Sequence, residues 1–378
     1  MFKRYKLKNY HFSLILYLCL LTIIGIVVIG SAKESVQNKQ ILGFVLGLIV
    51  MVIVSLFDYN FLLKFPWLYY VGGIVLLLLI KTPLGHEVNG ARRWIKLGES
   101  FTFQPSEMVK IVMILFFAYY FMKHQDDINT FKTLAKSFAI AGVLLLLILE
   151  QPDLSTTIAT GLIFIVLLYI SGLSYKIIVS VLAVIMPIGS IALIYLIQKA
   201  NSTEVIRNYQ LKRILAWLYP TDPRFSDNAL QQQNSIMAIG SGQLFGKGLY
   251  NSEATSMKNT NFIVEPQTDF IYAVVGEELG FLGCAAVILL LFLIVVECIY
   301  IGSKAKDLAG KLICCGMATL IGFQSFVNLC VATGLFPNTG IPLPFVSYGL
   351  TSLVTLFAGM GLVLNVGLQQ NTVKRGIF

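Results

Sequence analysis

The sequence predicts an all-α polytopic membrane protein of about ten transmembrane helices, folded as a single integral membrane domain over residues 1–378. Hydrophobic residues make up 57% of the chain and charged residues only 12%, with a mean hydropathy of +0.79. Soluble proteins carry about 25% charged residues. The apolar residues also form repeated runs of the length that a helix needs to cross a bilayer. Composition and run length together exclude a soluble globular class.

The spans are predicted from apolar runs, which for a membrane helix are about 17–25 residues long. In chain order they cover residues 11–30, 41–57, 67–80, 108–122, 137–149, 157–171, 177–197, 270–301, 312–336 and 346–368. Residues 198–269 separate the seventh and eighth spans and are too many for a simple connection. We therefore expect a large extracellular loop there. We find no strand pattern in the sequence that requires a sheet.

Basic residues predict the orientation of the spans. They cluster before the first span, between the eighth and ninth, and after the tenth: Lys3, Arg4, Lys6, Lys8, Lys304, Lys306, Lys311, Lys374 and Arg375. An even number of spans places all three groups on one side, which the positive-inside rule makes cytoplasmic. Both termini are then cytoplasmic, and the loops that carry the unusual motifs face outward. The net charge of +9 is mostly explained in this way, so it does not indicate nucleic-acid binding.

Three carboxylates stand at the entrance to the eighth span: Asp269, Glu277 and Glu278. A carboxylate at a membrane edge loses solvation energy and is usually retained for a function. Asp269 also closes the longest polar interval of the chain. Its position indicates chemistry on a molecule held at the bilayer surface.

The first outer loop contains Arg92, Arg93 and Trp94 in succession. Two guanidinium groups beside an indole suit a pyrophosphate and a sugar at the interface. Arginine and tryptophan also favour headgroup depth without any ligand. Ligand binding and membrane anchoring are equally compatible with this motif.

Further polar residues lie where two spans begin. Glu107 and Lys110 are three residues apart and share one helix face. They form either a structural ion pair or part of a polar cavity. Asp153 or Ser155 can cap the sixth span, and Pro152 ends the span before it.

Two glycine-containing segments lie in the outward loops. The glycines of residues 236–248 could let backbone approach a ligand, with Lys247 as a cation. The same segment could instead lie on the membrane as an amphipathic stretch. Residues 336–349 contain prolines and glycines that forbid a regular helix. Irregular backbone at membrane depth is buried in protein or lines a cavity, so we expect a plug inside the bundle.

Several blocks, in order along nearly the whole chain, resemble the SEDS family (shape, elongation, division and sporulation), whose members include RodA, FtsW and SpoVE. The blocks are NGARRWIKLG, FQPSEMVKI, EQPDLSTT, MAIGSGQLFGKG with TDFIYAVVGEELGFLG, and TGIPLPFVSYG. The resemblance implies an enzyme of the bacterial cytoplasmic membrane that polymerises lipid II, the lipid-linked peptidoglycan precursor. It also implies a class B penicillin-binding protein, the transpeptidase, as partner. The short chain and residues 339–344 look more like RodA than FtsW, which implies a role in elongation.

The resemblance also implies roles for individual residues. Asp269 matches the presumed catalytic aspartate, and Trp94 precedes a loop thought to face the substrate. The candidate substrate-binding residues are Arg92, Arg93, Trp94, Glu107, Lys110, Asp153 and Lys247. Gln267 stands where the family usually has histidine, so a histidine-assisted proton relay is not available. Leu350 and Thr351 replace a common Gly-Ser pair, which is a milder departure.

An inverting transfer onto a sugar hydroxyl needs one general base and positive charge near the leaving pyrophosphate. We predict Asp269 as the base and Arg92, Arg93 and Lys247 as the cations. A divalent cation, Mg²⁺ or Mn²⁺, bridging pyrophosphate and carboxylates is compatible with this scheme. The alternatives are a division-type (FtsW-like) or sporulation-type (SpoVE-like) polymerase, a lipid II flippase, and a purely structural partner in a cell-wall complex.

Overall fold

The structure, a computed structural model, describes residues 9–88, 91–97, 101–177, 209–250 and 265–370, with isolated positions between 179 and 194. Its helices are α1 (Phe12–Ala32), α2 (Glu34–Leu56), α3 (Tyr59–Leu62), α4 (Pro66–Leu79), α5 (Pro105–Lys123), α6 (Phe131–Leu149), α7 (Leu154–Ile170), α8 (Tyr209–Leu218), α9 (Ser226–Ser241), α10 (Ile271–Ser303), α11 (Leu308–Ala332) and α12 (Leu350–Leu368).

The apolar helices confirm the polytopic membrane fold. Seven of them, α1, α2, α5, α6, α10, α11 and α12, are long and apolar enough to cross a membrane. The shorter apolar helices α4 and α7 occupy the positions of the third and sixth predicted spans. The predicted seventh span, residues 177–197, lies mostly outside the described residues. Helices α5, α11 and α12 are the most enclosed by their neighbours and form the centre of the bundle.

Loops gather at the two ends of this bundle. One end, here called the site end, comprises residues 81–88, 91–97, 101–104, 150–153, 209–250, 265–270 and 333–349. There Ser155 Oγ donates to the carbonyl of Thr339 at 2.7 Å. At the opposite, terminal end, Tyr59 OH donates to Asp307 Oδ2 at 2.8 Å. The motifs singled out from the sequence therefore lie mainly at one end, and the basic loop before α11 lies at the other.

The first outer loop forms a three-stranded antiparallel sheet in the order β1 (Gly85–Val88), β2 (Ala91–Leu97) and β3 (Phe101–Phe103). The prediction of a bundle without a sheet was wrong at this point. Ile95 is 4% exposed, so its burial anchors the sheet on the bundle. The strands are short and polar, and their weak alternation is obscured in the sequence by the much longer apolar runs.

Helix α10 is interrupted at Gly280, whose backbone has φ 66° and ψ −162°. An unbroken helix of its 33 residues would be about 50 Å long, beyond the roughly 30 Å apolar core of a bilayer. The span predicted over residues 270–301 is confirmed, and the structure adds a break in its helix at Gly280. Residues 281–303 match a span by themselves, and residues 271–279 form a separate short helix at the site end.

The loop after α9 supplies partners for the backbone groups at this break. Phe281 N donates to the carbonyl of Gln243 at 2.8 Å, and Gly248 N donates to the carbonyl of Glu278 at 3.0 Å. Gly246 permits the approach because it has φ 79°, and a Cβ there would lie 2.1 Å from Glu278 O. The glycines of this loop thus serve contact between two backbone segments of the protein.

Residues 337–349 form the expected plug inside the bundle. Leu343 and Phe345 are 1% and 2% exposed. Ser347 Oγ donates to the carbonyl of Thr268 at 2.7 Å. The plug is therefore attached directly to the turn that precedes α10.

Candidate active site

Asp269 lies in the turn immediately before α10, at the site end of the bundle. Asn328 of α11 donates from Nδ2 to the carbonyls of Asp269 and Ile341, both at 2.8 Å. One side-chain amide therefore ties this turn to the plug. Asn328 is 1% exposed, so helix packing sets its position. The Asp269 side chain remains partly exposed.

The carboxylate of Asp269 and the guanidinium of Arg213 converge above Gly340. A Cβ built on Gly340 would lie 3.4 Å from Asp269 Oδ2 and 3.0 Å from Arg213 Nη1. Gly340 also has φ 73°, a conformation that favours glycine. Arg213 Nη1 donates to the carbonyl of Asn338 at 3.4 Å. The plug thus supplies the floor of the site, and α8 supplies its cation.

Sequence reasoning selected neither Arg213 nor Asn328. Residues 209–218 form an amphipathic helix, where a basic residue is usual at a membrane surface. Arg213 therefore had no distinctive local signal. Asn328 did have one, because a polar amide within an apolar span usually faces the bundle interior and bonds to a neighbouring segment.

Arg93 reaches the same region from β2. The register of β1 and β2 skips Arg93, which is an extra residue without a partner on β1. A bulge of this kind redirects a side chain, and bulges are frequent beside active sites. Arg93 Nε donates to the carbonyl of Gln151 at 3.2 Å, and the guanidinium also bonds to the carbonyl of Pro152. The turn between α6 and α7 therefore holds Arg93 in place.

The surroundings raise the pKa of Asp269 above the ordinary value of a carboxyl group. Burial is the largest cause, because it disfavours the charged form. Arg213 opposes this effect, Glu265 adds to it by repulsion, Arg93 opposes it and Asp153 adds to it. A carboxylate with a raised pKa accepts a proton more readily than an exposed one, which suits a general base.

Two cavities lie next to this turn. The arginine cavity, of about 190 Å³, is lined by Arg93 and Arg213 together with parts of α7 and the plug. The lysine cavity, of about 270 Å³, is lined by Lys33, Lys39 and Trp94 together with the 265–268 segment and the end of the plug. The site therefore offers two separate cationic recesses for anionic ligands.

Asp153 acts as the predicted helix cap. Its Oδ1 accepts from Thr156 N at 3.1 Å, and its Oδ2 accepts from Gln104 Nε2 at 3.2 Å. Both oxygens are thus bonded within the protein, and the side chain is buried. Substrate binding by Asp153 stays a prediction.

Glu107 and Lys110 form the predicted ion pair inside the bundle. Lys110 Nζ lies 2.7 Å from Glu107 Oε1, and the two side chains are 0% and 6% exposed respectively. The second oxygen of Glu107 accepts from Ser352 Oγ at 2.9 Å. Two helices of the buried core, α5 and α12, therefore meet at this pair, and its contact with substrate stays a prediction.

The other two predicted cations have partners within the protein. Arg92 Nη2 donates to the carbonyl of Thr82 at 2.8 Å, which holds β2 to the loop that precedes β1. Lys247 Nζ lies 2.9 Å from Glu277 Oε1. Neither is among the charges that most shift the pKa of Asp269. Their roles in substrate binding stay predictions.

The divalent cation also stays a prediction. Within the part of the chain that the structure describes, no three His, Cys, Asp or Glu side chains are grouped to hold a metal ion. Near Asp269, both oxygens of Asp153 are already bonded to protein groups. The described residues therefore do not form a metal site by themselves, and the chemistry proposed for this site uses none.

The fold and this site define a polytopic membrane protein with an ionisable centre at one end of its helix bundle. The family described as "Cell cycle protein", which comprises FtsW, RodA and SpoVE, matches residues 6–372. The chain is 32% identical to the probable peptidoglycan glycosyltransferase FtsW of Geobacter sulfurreducens, over 96% of each protein. It therefore belongs to the FtsW/RodA/SpoVE family.

Solved structures have the same fold. A structure described as "Structural coordination of polymerization and crosslinking by a peptidoglycan synthase complex" matches with a TM-score of 0.76 and 26% identity, covering 95% of this chain and 97% of the other. The crystal structure of the Thermus thermophilus rod shape determining protein RodA matches with a TM-score of 0.68 and 25% identity, covering 96% and 98%.

Proposed function

We propose that this protein is a peptidoglycan glycosyltransferase that polymerises lipid II into glycan strands on the outer face of the bacterial cytoplasmic membrane. One observation carries the proposal: a carboxyl group with a raised pKa, Asp269, lies beside Arg213 and is influenced by Arg93 at one end of the bundle. The name of the Geobacter sulfurreducens relative supports the same activity. The description of the synthase complex supports a transpeptidase of the class B penicillin-binding proteins as partner.

In the proposed reaction, a hydroxyl of the acceptor sugar attacks the anomeric carbon of a second lipid-linked sugar. Asp269 accepts the hydroxyl proton while the new glycosidic bond forms and the bond to pyrophosphate breaks. The electron pair of the broken bond leaves with the lipid pyrophosphate, and Arg93 and Arg213 stabilise its charge. A single displacement inverts the anomeric configuration. Asp269 then releases its proton to water before the next cycle.

The first test compares the variant Asp269→Asn with the wild type. Asparagine keeps the size of the side chain but cannot accept the proton, so polymerisation should fall by about 10²-fold or more. The measurement is glycan polymer formed from lipid II per folded molecule, with the cognate transpeptidase present. Near-normal turnover in Asp269→Asn would place the base elsewhere.

The matched control for this test is Asp222→Asn. Asp222 lies in the same large loop, where it pairs with the exposed Arg224 at 2.6 Å. The variant should keep wild-type turnover because Asp222 belongs to neither cavity.

A wild-type protein that moves lipid II across vesicle membranes without making polymer would favour a flippase instead.

A division-type polymerase is the second candidate. Residues 339–344 favour an elongation role, as in RodA, whereas the curated relative cited above carries the name FtsW. A fluorescent fusion imaged in the source bacterium distinguishes the two roles. Signal along the lateral wall supports elongation, and signal confined to the septum supports division.

A further inference from the structure

Two lysines in the lysine cavity carry charge that the protein does not neutralise by an ion pair. Lys33 and Lys39 line this cavity, and both side chains are exposed. Among the described residues neither forms an ion pair, and neither does Glu265, an acidic residue of the same wall. Two positive groups and one negative group leave a net charge of +1. The recess therefore attracts an anion, while the carboxylate can accept from hydroxyl groups of the same ligand.

The polypeptide around these lysines is fixed relative to the turn before α10. Gln40 directly follows the second lysine on α2 and is completely buried. Its Nε2 donates to the carbonyl of Ser347 at 3.2 Å, and its Oε1 accepts from Gly349 N at 3.2 Å. Ser347 in turn donates from Oγ to the carbonyl of Thr268 at 2.7 Å. One buried side chain thus ties α2 to the plug, and the plug is tied to the turn.

Consecutive residues separate the lysine cavity from the arginine cavity. Arg93 lines the arginine cavity, and Trp94 lines the lysine cavity. Thr268 lines the lysine cavity, and the next residue, Asp269, approaches Arg213 of the arginine cavity. The two arginines are among the charges that most affect the pKa of Asp269, whereas the two lysines are not. An anion in the lysine cavity therefore lies farther from the reacting carboxylate than an anion in the arginine cavity.

Transfer between two lipid-linked sugars brings two pyrophosphate groups to the site. The pyrophosphate of the donor leaves, so its charge must be stabilised beside the reacting atoms. The pyrophosphate of the acceptor stays bonded, and its own saccharide separates it from the hydroxyl that attacks. The arginine cavity has the position that the first group requires, and the lysine cavity has the position that the second requires. The rings of Trp94 and Tyr348, which also line the lysine cavity, offer apolar surface to a sugar.

We propose that the lysine cavity is the acceptor subsite, where Lys33 and Lys39 bind the pyrophosphate of the lipid-linked saccharide whose hydroxyl attacks. This inference rests on the proposed glycosyltransferase function. In the reaction, the acceptor oxygen forms the new glycosidic bond and gives its proton to Asp269, while only the donor pyrophosphate leaves. The cavity volume of about 270 Å³ is slightly below the roughly 300–1,000 Å³ typical of whole ligands, so the cavity holds the pyrophosphate with an adjoining sugar.

The test separates the two substrates by using two forms of lipid II. In the donor-only form, hydrogen replaces the sugar hydroxyl that attacks, so this molecule cannot accept. In the acceptor-only form, a methylene group replaces the oxygen between the anomeric carbon and phosphorus, so its pyrophosphate analogue cannot leave. A mixture of the two gives one coupled product that keeps the methylene linkage. The full-length protein and its transpeptidase are assayed in vesicles of zwitterionic phosphatidylcholine, and the KM for each form is measured separately.

The double variant Lys33→Gln/Lys39→Gln should raise the KM for the acceptor-only form by about 10-fold, because exposed ionic contacts are individually modest. The KM for the donor-only form and kcat should change by less than about twofold. Lys132→Gln/Lys136→Gln is the matched control, since it removes two exposed charges from the start of α6, away from both cavities. This control should leave all three constants unchanged.

Two further readouts distinguish the charge of the lysines from a structural role. Lys33→Arg/Lys39→Arg keeps both charges and should keep the acceptor KM within about threefold of the wild-type value. Added salt should raise the acceptor KM of the wild type more steeply than that of the glutamine variant, because salt screens the contact that the variant lacks. Equal salt slopes would overturn the role of the lysine charges. If the double glutamine variant does not fold, Lys39→Gln alone should raise the acceptor KM by about threefold.

Direct binding separates this inference from the proposed function. A wild type that makes no coupled product would overturn the glycosyltransferase proposal. Binding of a fluorescent acceptor-only form would then decide the subsite, because weaker binding by Lys33→Gln/Lys39→Gln would support it and equal binding would refute it.

Three outcomes in an active protein would overturn the acceptor subsite alone. The first is a KM that stays unchanged for both forms of lipid II in Lys33→Gln/Lys39→Gln. The second is a KM that rises for the donor-only form as much as, or more than, for the acceptor-only form. The third is an unchanged acceptor KM together with weaker binding of phosphatidylglycerol, which would assign the two lysines to a phospholipid headgroup.

Discussion

Asp269 meets two opposing requirements at the scale of a single residue. The proposed transfer reaction needs its carboxylate form, whereas burial in the site favours its protonated form. Arg213 and Arg93 keep the charged form accessible by partly offsetting the burial. In the proposed reaction, the same arginines also stabilise the charge of the leaving pyrophosphate. A single group of charges can therefore serve both the base and the leaving group.

The raised pKa of Asp269 predicts opposite effects of pH on activity and on stability. Polymerisation should fall as pH drops through this pKa, at a higher pH than for an ordinary carboxyl, because the base becomes protonated. The folded state binds this proton more tightly than the unfolded state, so stability from this group is lost as pH rises through the same range. At neutral pH, the melting temperature of Asp269→Asn should therefore equal or exceed that of the wild type. In acid, the two melting temperatures should converge. Thermal melts and pH–rate profiles check this, and a lower melting temperature for the variant at neutral pH would contradict it.

The buried Glu107–Lys110 pair predicts a stability effect. Glu107→Gln leaves the Lys110 ammonium inside the bundle without its counter-charge, and loss of one partner of a buried pair costs about 3–5 kcal/mol. Melting temperature and protein level should fall together with activity. The control is Glu150→Gln, because the Lys81–Glu150 pair is 52% and 56% exposed and should contribute little. Wild-type melting with lost polymerisation would instead give the pair a direct role at the substrate.

At the scale of elements, the broken helix α10 and the loop after α9 form one unit. The break at Gly280 frees backbone groups, and the loop satisfies them through its own amides and carbonyls. Non-helical backbone near a membrane persists only when its polar groups are bonded in this way. The short helix at residues 271–279 is thereby held at the site end, with Asp269 directly before it.

Two glycines of this loop allow crowding to be separated from backbone strain. Gly246 and Gly248 have φ 79° and 91°, but a Cβ on Gly246 would meet Glu278 O at 2.1 Å while one on Gly248 would meet nothing within 4 Å. Gly248→Ala should cost only the strain of a left-handed conformation, about 1–2 kcal/mol. Gly246→Ala should cost clearly more. Melting curves of both variants measure the difference, and equal losses would show that the close contact with α10 contributes nothing.

At the scale of the whole molecule, the two ends of the bundle have different chemistry. The site end carries both cavities and Asp269, whereas the terminal end carries a network in which Gln369 bonds to Asp58 and Lys306. We propose that the site end faces outward, that both termini are cytoplasmic, and that residues 1–378 form one integral membrane domain. Basic residues before the first span and after the last support this orientation.

Reporter fusions test this orientation. A reporter fused after Lys374 should be active in the cytoplasm, and one inserted within residues 226–233 should be active outside. A fusion after Lys304 serves as the control, because it should agree with the fusion after Lys374. Reporters at Lys374 and at 226–233 on the same side would contradict an even number of spans.

The sequence by itself determined the features that depend on local pattern. A bilayer demands long apolar runs, so most spans could be located, and α4 and α7 were found although they are short. The Asp153 cap and the Glu107–Lys110 pair were also predicted, since their partners lie three residues away along the chain. Asp269 was singled out because a carboxylate beside an apolar run has few structural uses.

Only the tertiary structure decided which distant segments meet at Asp269. Arg213 comes from an amphipathic helix, Arg93 from a bulge, and Asn328 from the interior of a span. Each has an ordinary local pattern, and their proximity arises from helix packing and from the plug that Gly340 allows to pass close by. Hydrophobic periodicity specifies how much of each segment is buried but not which neighbour covers it. The composition of the site is for that reason a property of the folded bundle.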